Sequence, residues 1–191
     1  MDKSFDLIVF GATGFTGRLV AEYLTTTYGV GGAVRWAMAG RSPAKLAEIR
    51  DALGIDPSLP LLVADPSDSD ALAALVKQTN VVLSTVGPYQ LYGEPLIRAC
   101  AAAGTDYVDL CGEPGWMAQM IPQLQDTAHA SGARIVFSCG FDSVPFDLGV
   151  VYAQHEAQQR FGSPLARVHG RQVVHPGGDL SEDGGAVARA G

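Results

Sequence analysis

Three glycines at even spacing, Gly11, Gly14 and Gly17, stand in the stretch IVFGATGFTGRLV (Ile8–Val20), after an apolar run and before an amphipathic one. Each spacing position has a physical use. Gly11 lets the chain turn sharply off a strand, Gly14 lets the backbone approach a ligand, and Gly17 lets the next helix lie close on the sheet. Such a loop ends at a helix N-terminus, where unpaired amides and the helix dipole favour an anion. The anion this pattern fits is the pyrophosphate of a dinucleotide, held by the amides of Gly14, Phe15 and Thr16 with Thr13 beside them. Glycines also serve plain turns; the place between a first strand and a first helix gives these three their weight.

The second strand decides which dinucleotide is expected. An acidic residue about 20 positions after the glycines binds the ribose 2′-hydroxyl of NAD. Here the strand ends in MAGRS, and Arg41 stands at that place. A guanidinium suits a 2′-phosphate and Ser42 adds a hydroxyl donor, so the expected cofactor is NADP (NADPH). The plainer reading of Arg41 is a solvated surface cation. Asp65, closing the third strand, either meets the adenine amine or caps the helix after it. Gly87 and Pro88 close the fourth strand in STVGPYQLYG. They either carry the backbone along the nicotinamide ribose, with Tyr89 and Tyr92 on the substrate side, or form an ordinary turn with loop aromatics.

No catalytic group declares itself. None of the six tyrosines has a lysine four positions on, which removes the Tyr-x-x-x-Lys proton shuttle of short-chain dehydrogenases. His129, His155, His169 and His175 lack metal-ligand spacing, and neither a G-x-S-x-G elbow nor a P-loop is present. Two acidic segments remain, VDLCGEPGW and GFDSVPFDLG. Parallel strands bring both to the sheet edge that carries the glycine loop. Asp109, Glu113, Asp142 and Asp147 are therefore candidates for substrate or cofactor contacts, or caps and loop ties. Glu113 and Asp142 are placed on the substrate side. Cys111 and Cys139 read as small packing residues rather than nucleophiles.

The elements that must position these groups follow from the apolar pattern. Strands are expected at Phe5–Phe10, Val34–Ala39, Pro60–Ala64, Asn80–Val86, Asp106–Leu110 and Arg134–Ser138. Helical patterns separate them, beginning with 17–27, 43–53, 69–78, 93–104 and 114–132. Ser42-Pro43 supplies an N-cap and a proline at the first helical position, and Gly29, Gly54, Gly104 and Gly132 fall at helix ends. Strands joined through helices pair in parallel with right-handed crossovers. The fold class is therefore α/β, a doubly wound parallel sheet of Rossmann type over residues 1–149. After Gly140 the pattern changes: a helix is expected over 147–162, a strand over Ala166–Val174, and a glycine-rich stretch follows. Residues 150–191 are read as a linking helix and the incomplete start of an α+β domain that forms the substrate site and dimer contact.

Composition bounds the partners. The 191 residues are 47% hydrophobic and carry a formal charge of −7 with only three lysines, which speaks against nucleic acid. Three cysteines without a C-x-x-C pair fit a reducing cytosol, and no apolar run reaches about 18 residues, so no transmembrane segment is expected.

The motifs GATGFTG, AGRS, STVGPYQLYGEPLIRACAAAGTDYVDLCGE and GFDSVPFDLG, in this order over Phe5–Val174, resemble the saccharopine dehydrogenase-like oxidoreductases. Within that family the sequence is most similar to the bacterial branch with the trans-acting enoyl reductases. The resemblance implies an NADP-binding Rossmann domain, with Gly11, Gly14, Gly17, Arg41 and Ser42 matching the cofactor motif and Gly87 and Pro88 matching the fourth-strand loop. It also implies a C-terminal domain for substrate and homodimer formation, of which this sequence carries only the beginning. The expected activity is hydride transfer to a small or lipid-linked substrate, with enoyl reduction the specific guess and peripheral membrane contact if the substrate is a lipid. The alternative is an NADP-binding redox sensor without turnover. No proton donor is carried over.

Overall fold

The apolar runs form six strands, β1 (Phe5–Phe10), β2 (Trp36–Gly40), β3 (Leu61–Val63), β4 (Thr79–Ser84), β5 (Asp106–Asp109) and β6 (Ile135–Val136). A computed structural model describes residues 3–170. The strands make one sheet in the order β3-β2-β1-β4-β5-β6, with every neighbouring pair parallel. Between them run α1 (Phe15–Tyr28), α2 (Pro43–Ala52), α3 (Ser69–Val76), α4 (Tyr89–Ala103) and α5 (Pro114–Ser131). This is the expected doubly wound sheet, whose order reverses between β1 and β4.

Alternation along β1 explains the two helix layers, because successive side chains of a strand point to opposite faces. Ile8 and Phe10 join Val82 and Tyr107 in a core with Leu72, Leu96, Ile97 and Met120 of α3, α4 and α5. Val9 and Met38 face the other way, into a core with Ala21, Leu24, Leu46 and Ile49 of α1 and α2. Helices end where glycine permits a left-handed residue: Gly104 and Gly132 are αL C-caps, and Gly54, just beyond α2, has a φ of 64°.

Register places the functional edge. Phe10 is level with Ala39 on one side and Ser84 on the other, and Ser84 with Asp109. The chain therefore leaves the sheet at one height through Gly11, Gly40, Thr85 and Leu110, with Arg41 following Gly40.

Three expectations about elements change. β6 is two residues long instead of five, because the chain turns off the ladder at Ser138, which has a φ of 59° and donates its amide to Asp109 Oδ1 at 2.9 Å. α4 begins at Tyr89, four residues before the expected start at Gly93. The cap of α3 is Asp68, which accepts from the amides of Asp70 and Ala71; Asp65 instead accepts from the amide and hydroxyl of Ser67. Cys139 is exposed rather than packed, while Cys100 and Cys111 are buried.

Contacts divide the chain into units Met1–Val144 and Pro145–Gly191. The described part of the second carries α6 (Val144–Phe161), as a helix was expected, with Gln154 bonded twice to the backbone of Leu165. Residues 166–170 are irregular; the rest of the strand expected to Val174, and His175, lie outside the described residues. Among those described, no helix is long and apolar enough to cross a membrane.

Asp109, at the end of β5, is 2% exposed and accepts from the Tyr107 hydroxyl (2.9 Å) and the amides of Cys111 and Ser138. Burial raises its carboxyl above the ordinary value, although these donors oppose the rise. A raised folded value favours the protonated form in the fold, an advantage present below the unfolded pKa and lost as pH climbs through the folded one. Asp109→Asn keeps an acceptor without the charge. We expect its melting temperature to fall less than that of the parent chain between pH 4 and 7; parallel profiles would remove Asp109 as the source of the slope.

Candidate dinucleotide-binding site

A cleft of about 260 Å³ opens at the carboxyl ends of β1 to β4. Its lining includes Gly11, Thr13, Gly14, Arg41, Gly87 and Tyr92, six residues drawn from three separate segments of the sequence. The switch point of the sheet is where such ligands bind.

The glycine loop owes its shape to close packing. Gly11 has a φ of 91°, and a Cβ there would lie 2.6 Å from Val86 Cγ2 and 2.7 Å from Thr85 Oγ1. A Cβ on Gly17 would lie 2.2 Å from the Gly11 carbonyl oxygen. Gly14 is different: a Cβ there would meet only that oxygen, at 3.4 Å. Gly11 and Gly17 thus hold the helix against the strand, and Gly14 keeps the loop surface bare where it borders the cleft. Its amide is not available as expected, since it donates to the Gly11 carbonyl at 3.0 Å.

The first helical bond of α1 runs from Arg18 N to Gly14 O, so the amides of Phe15, Thr16 and Gly17 have no helical partner. No side chain caps them. α2 and α3 are capped by Ser42 and Asp68. A bare loop ending at an uncapped helix N-terminus fits a dinucleotide pyrophosphate. Across the cleft, Arg41 is exposed and makes no salt bridge among the described residues, so its charge is available to a 2′-phosphate. Ser42 accepts the Lys45 amide at 3.3 Å, which leaves its hydroxyl hydrogen to donate. Asp65 does not line the cleft; its neighbour Pro66 does. The bonds from Ser67 hold its carboxyl below the usual range, with Arg41 adding attraction.

Several substrate-side expectations are corrected. Tyr89 does not face the cleft: it is 4% exposed, and its hydroxyl donates to Ser84 O at 3.0 Å. Burial pushes this phenol far above its normal range. Tyr92, one turn on, does line the cleft. Glu113 points at α4 instead, accepting from the amides of Tyr89 (2.7 Å) and Gln90 (2.8 Å). Asp142 is exposed in the turn after β6, two strands from β4, and outside the cleft. Gly87 borders the cleft and Pro88 is the residue before α4. Thr85 was missed in the sequence. Its hydroxyl donates to the carbonyls of Phe10 (3.2 Å) and Gly11 (3.1 Å), tying β4 to the glycine loop. A threonine after an apolar strand carries no signal of that tie.

The family model described as the saccharopine dehydrogenase NADP binding domain matches residues 7–136. The chain belongs to this family. Its cofactor is NADP(H), in agreement with Arg41 at the end of β2. This saccharopine dehydrogenase NADP-binding domain is 49% identical over 158 residues to a Mycobacterium tuberculosis protein provisionally named a trans-acting enoyl reductase, covering 82% of the chain and 37% of that protein. It is 47% identical over 149 residues to a trans-acting enoyl reductase of Mycobacterium leprae, covering 78% and 35%. The chain thus spans little more than a third of the length of these relatives. Saccharopine dehydrogenase from Saccharomyces cerevisiae shares the fold with a TM-score of 0.66 at 17% identity, over 81% of this chain and 32% of that one.

Gly14→Ala and Gly17→Ala separate the two uses of glycine. Gly17→Ala must push α1 off the Gly11 carbonyl and should cost about 1–3 kcal/mol or more in denaturant unfolding, as overpacking does. Gly14→Ala, with room for its methyl and an ordinary φ of −78°, should unfold within about 0.5 kcal/mol of the parent, as a substitution without strain does. Equal losses would contradict this division.

Proposed function

We propose that the protein of which this domain is part is an NADP-dependent oxidoreductase that transfers a hydride to a small or lipid-linked substrate, with enoyl reduction the reaction. The observation that carries this reading is the pairing across one cleft of an uncapped helix N-terminus with Arg41, in a domain of an NADP-binding family. The relatives named trans-acting enoyl reductase support the choice of reaction.

The chain's own residues divide the work. The amides of Phe15, Thr16 and Gly17, with Thr13 beside them, receive the pyrophosphate; Arg41 and Ser42 receive the 2′-phosphate. Asp65, beside Pro66 of the lining but outside it, stands on the side where the adenine would lie. Gly87 and Pro88 let the backbone run along the nicotinamide ribose, and Tyr92 stands toward the substrate. When bound, NADPH supplies the hydride, and the walls of the cleft orient it and limit water. Residues 150–191 begin the substrate and dimerisation domain. The reading extends to a homodimeric, cytoplasmic protein that meets a membrane peripherally where its substrate is a lipid.

Arg41→Ala tests the cofactor arm. An exposed side chain without a salt bridge should leave the melting temperature unchanged, while the preference for NADPH over NADH in a binding titration should fall by about tenfold or more, the value of a charged contact to phosphate. An unchanged preference would contradict the assignment. Turnover is tested with the full-length protein: NADPH oxidation in the presence of an enoyl thioester supports the reaction, and binding without oxidation of any enoyl or imine substrate favours the redox-sensor alternative.

A further inference from the structure

Glu113 lies on the turn between β5 and α5, yet both of its carboxylate oxygens are spent on another element. Oε1 accepts from Tyr89 N at 2.7 Å and Oε2 from Gln90 N at 2.8 Å. These are two of the orphan amides at the start of α4, so the carboxylate satisfies donors and opposes the positive end of the helix dipole at once. Its backbone works in the same place, the carbonyl accepting from Met117 N at 3.1 Å in α5. Glu113 therefore joins the first turns of two helices.

A second tie runs the opposite way. The Tyr89 hydroxyl donates to Ser84 O at the end of β4 and accepts from Leu110 N after β5 at 3.4 Å. The Tyr89 ring packs on Trp116 of α5, with centroids 6.1 Å apart, and a Cβ on Gly93 would lie 2.9 Å from the Trp116 ring. The start of α4 is thus held by a side chain coming in and a side chain going out. Between these anchors lies Thr85–Pro88, whose Thr85, Val86 and Gly87 border the cleft, followed one turn later by Tyr92.

Resting on the cofactor reading above, we propose that Glu113 is a positioning residue for the nicotinamide half of the site: it caps α4 from a distance and so fixes the wall formed by Thr85–Pro88 and Tyr92, without touching substrate or cofactor itself. This departs from a role as acid or base on the substrate side. Both of its oxygens already accept from backbone N–H groups of α4, and Glu113 is not among the residues that line the cleft. The adenosine half of the site depends on α1 and Arg41, on the far side of β1 from this tie.

That split makes the proposal testable by two ligands. 2′,5′-ADP carries the adenosine and 2′-phosphate but no nicotinamide; NADPH carries both halves. Glu113→Gln keeps the shape and replaces one acceptor by a donor. Tyr89→Phe breaks the reverse tie while leaving the Glu113 carboxylate, and guards against a failure of the first variant to fold. Titrations against the parent chain should show NADPH weakened about tenfold in Glu113→Gln, the value of a lost charge-assisted pair, and about threefold or more in Tyr89→Phe, the value of a lost neutral bond, with 2′,5′-ADP changed by less than about twofold in both. Equal weakening of both ligands would make Glu113 a general stability residue and overturn the proposal, as would unchanged NADPH binding. Failure of the parent chain to bind 2′,5′-ADP would instead remove the cofactor reading, and this inference with it.

Discussion

The contact on which the rest of the structure depends is the approach of α1 to the turn after β1. A side chain on Gly17 would have its Cβ 2.2 Å from the Gly11 carbonyl oxygen, so only glycine lets the first turn of the helix rest there. Because it rests there, the helix starts directly after Gly14 of the cleft lining, with the amides of Phe15, Thr16 and Gly17 free of helical partners. The positive end of the helix dipole therefore begins at Gly14, which borders the cleft. Thr85, bonded to both carbonyls of the turn, fixes the same junction from β4.

Seen from that edge, the helices fall into two kinds. α2, α3 and α4 begin with their amides satisfied by protein oxygens, from Ser42, Asp68 and Glu113. α1 begins with no side-chain oxygen, and so does α5, whose first residue, Pro114, has no amide to satisfy. The difference matters because an unpaired helix start has a cost that a bound anion can offset, whereas a capped one has nothing left to offer. Of α1 and α5, α1 is the helix that follows Gly14 of the cleft lining, and Arg41 stands in the same lining.

Much of this was legible in the sequence, for a physical reason: it is local. The apolar runs, the glycine punctuation after helices and the Gly11-Gly14-Gly17 loop depend on neighbours within a turn or two, and they stand close to where expected, with β6 the run that is cut short. Arg41 follows β2 directly and needs only the strand's end to be placed. What the sequence hid depends on distant partners. α4 starts at Tyr89 because Glu113, more than 20 positions later, caps it; read alone, GPYQLYG looks like a loop. Tyr89 looked like a substrate contact because its burial against Trp116 and its bond to Ser84 lie outside any window. In DPSDSD several acids compete for one cap, and only coordinates choose Asp68 over Asp65. The amide triad shifted by one residue because the Gly14 amide closes the turn on Gly11.

The central claim, that this edge of the sheet is a two-charge cradle for NADP, is tested most directly by mapping amide chemical-shift changes on the chain as NADP+ is added. The account predicts the largest changes at residues 11–17, at Arg41 and Ser42, and at residues 85–87, saturating together. Changes centred on another face, or an absence of change at Phe15, Thr16 and Gly17 while the nucleotide binds, would contradict it.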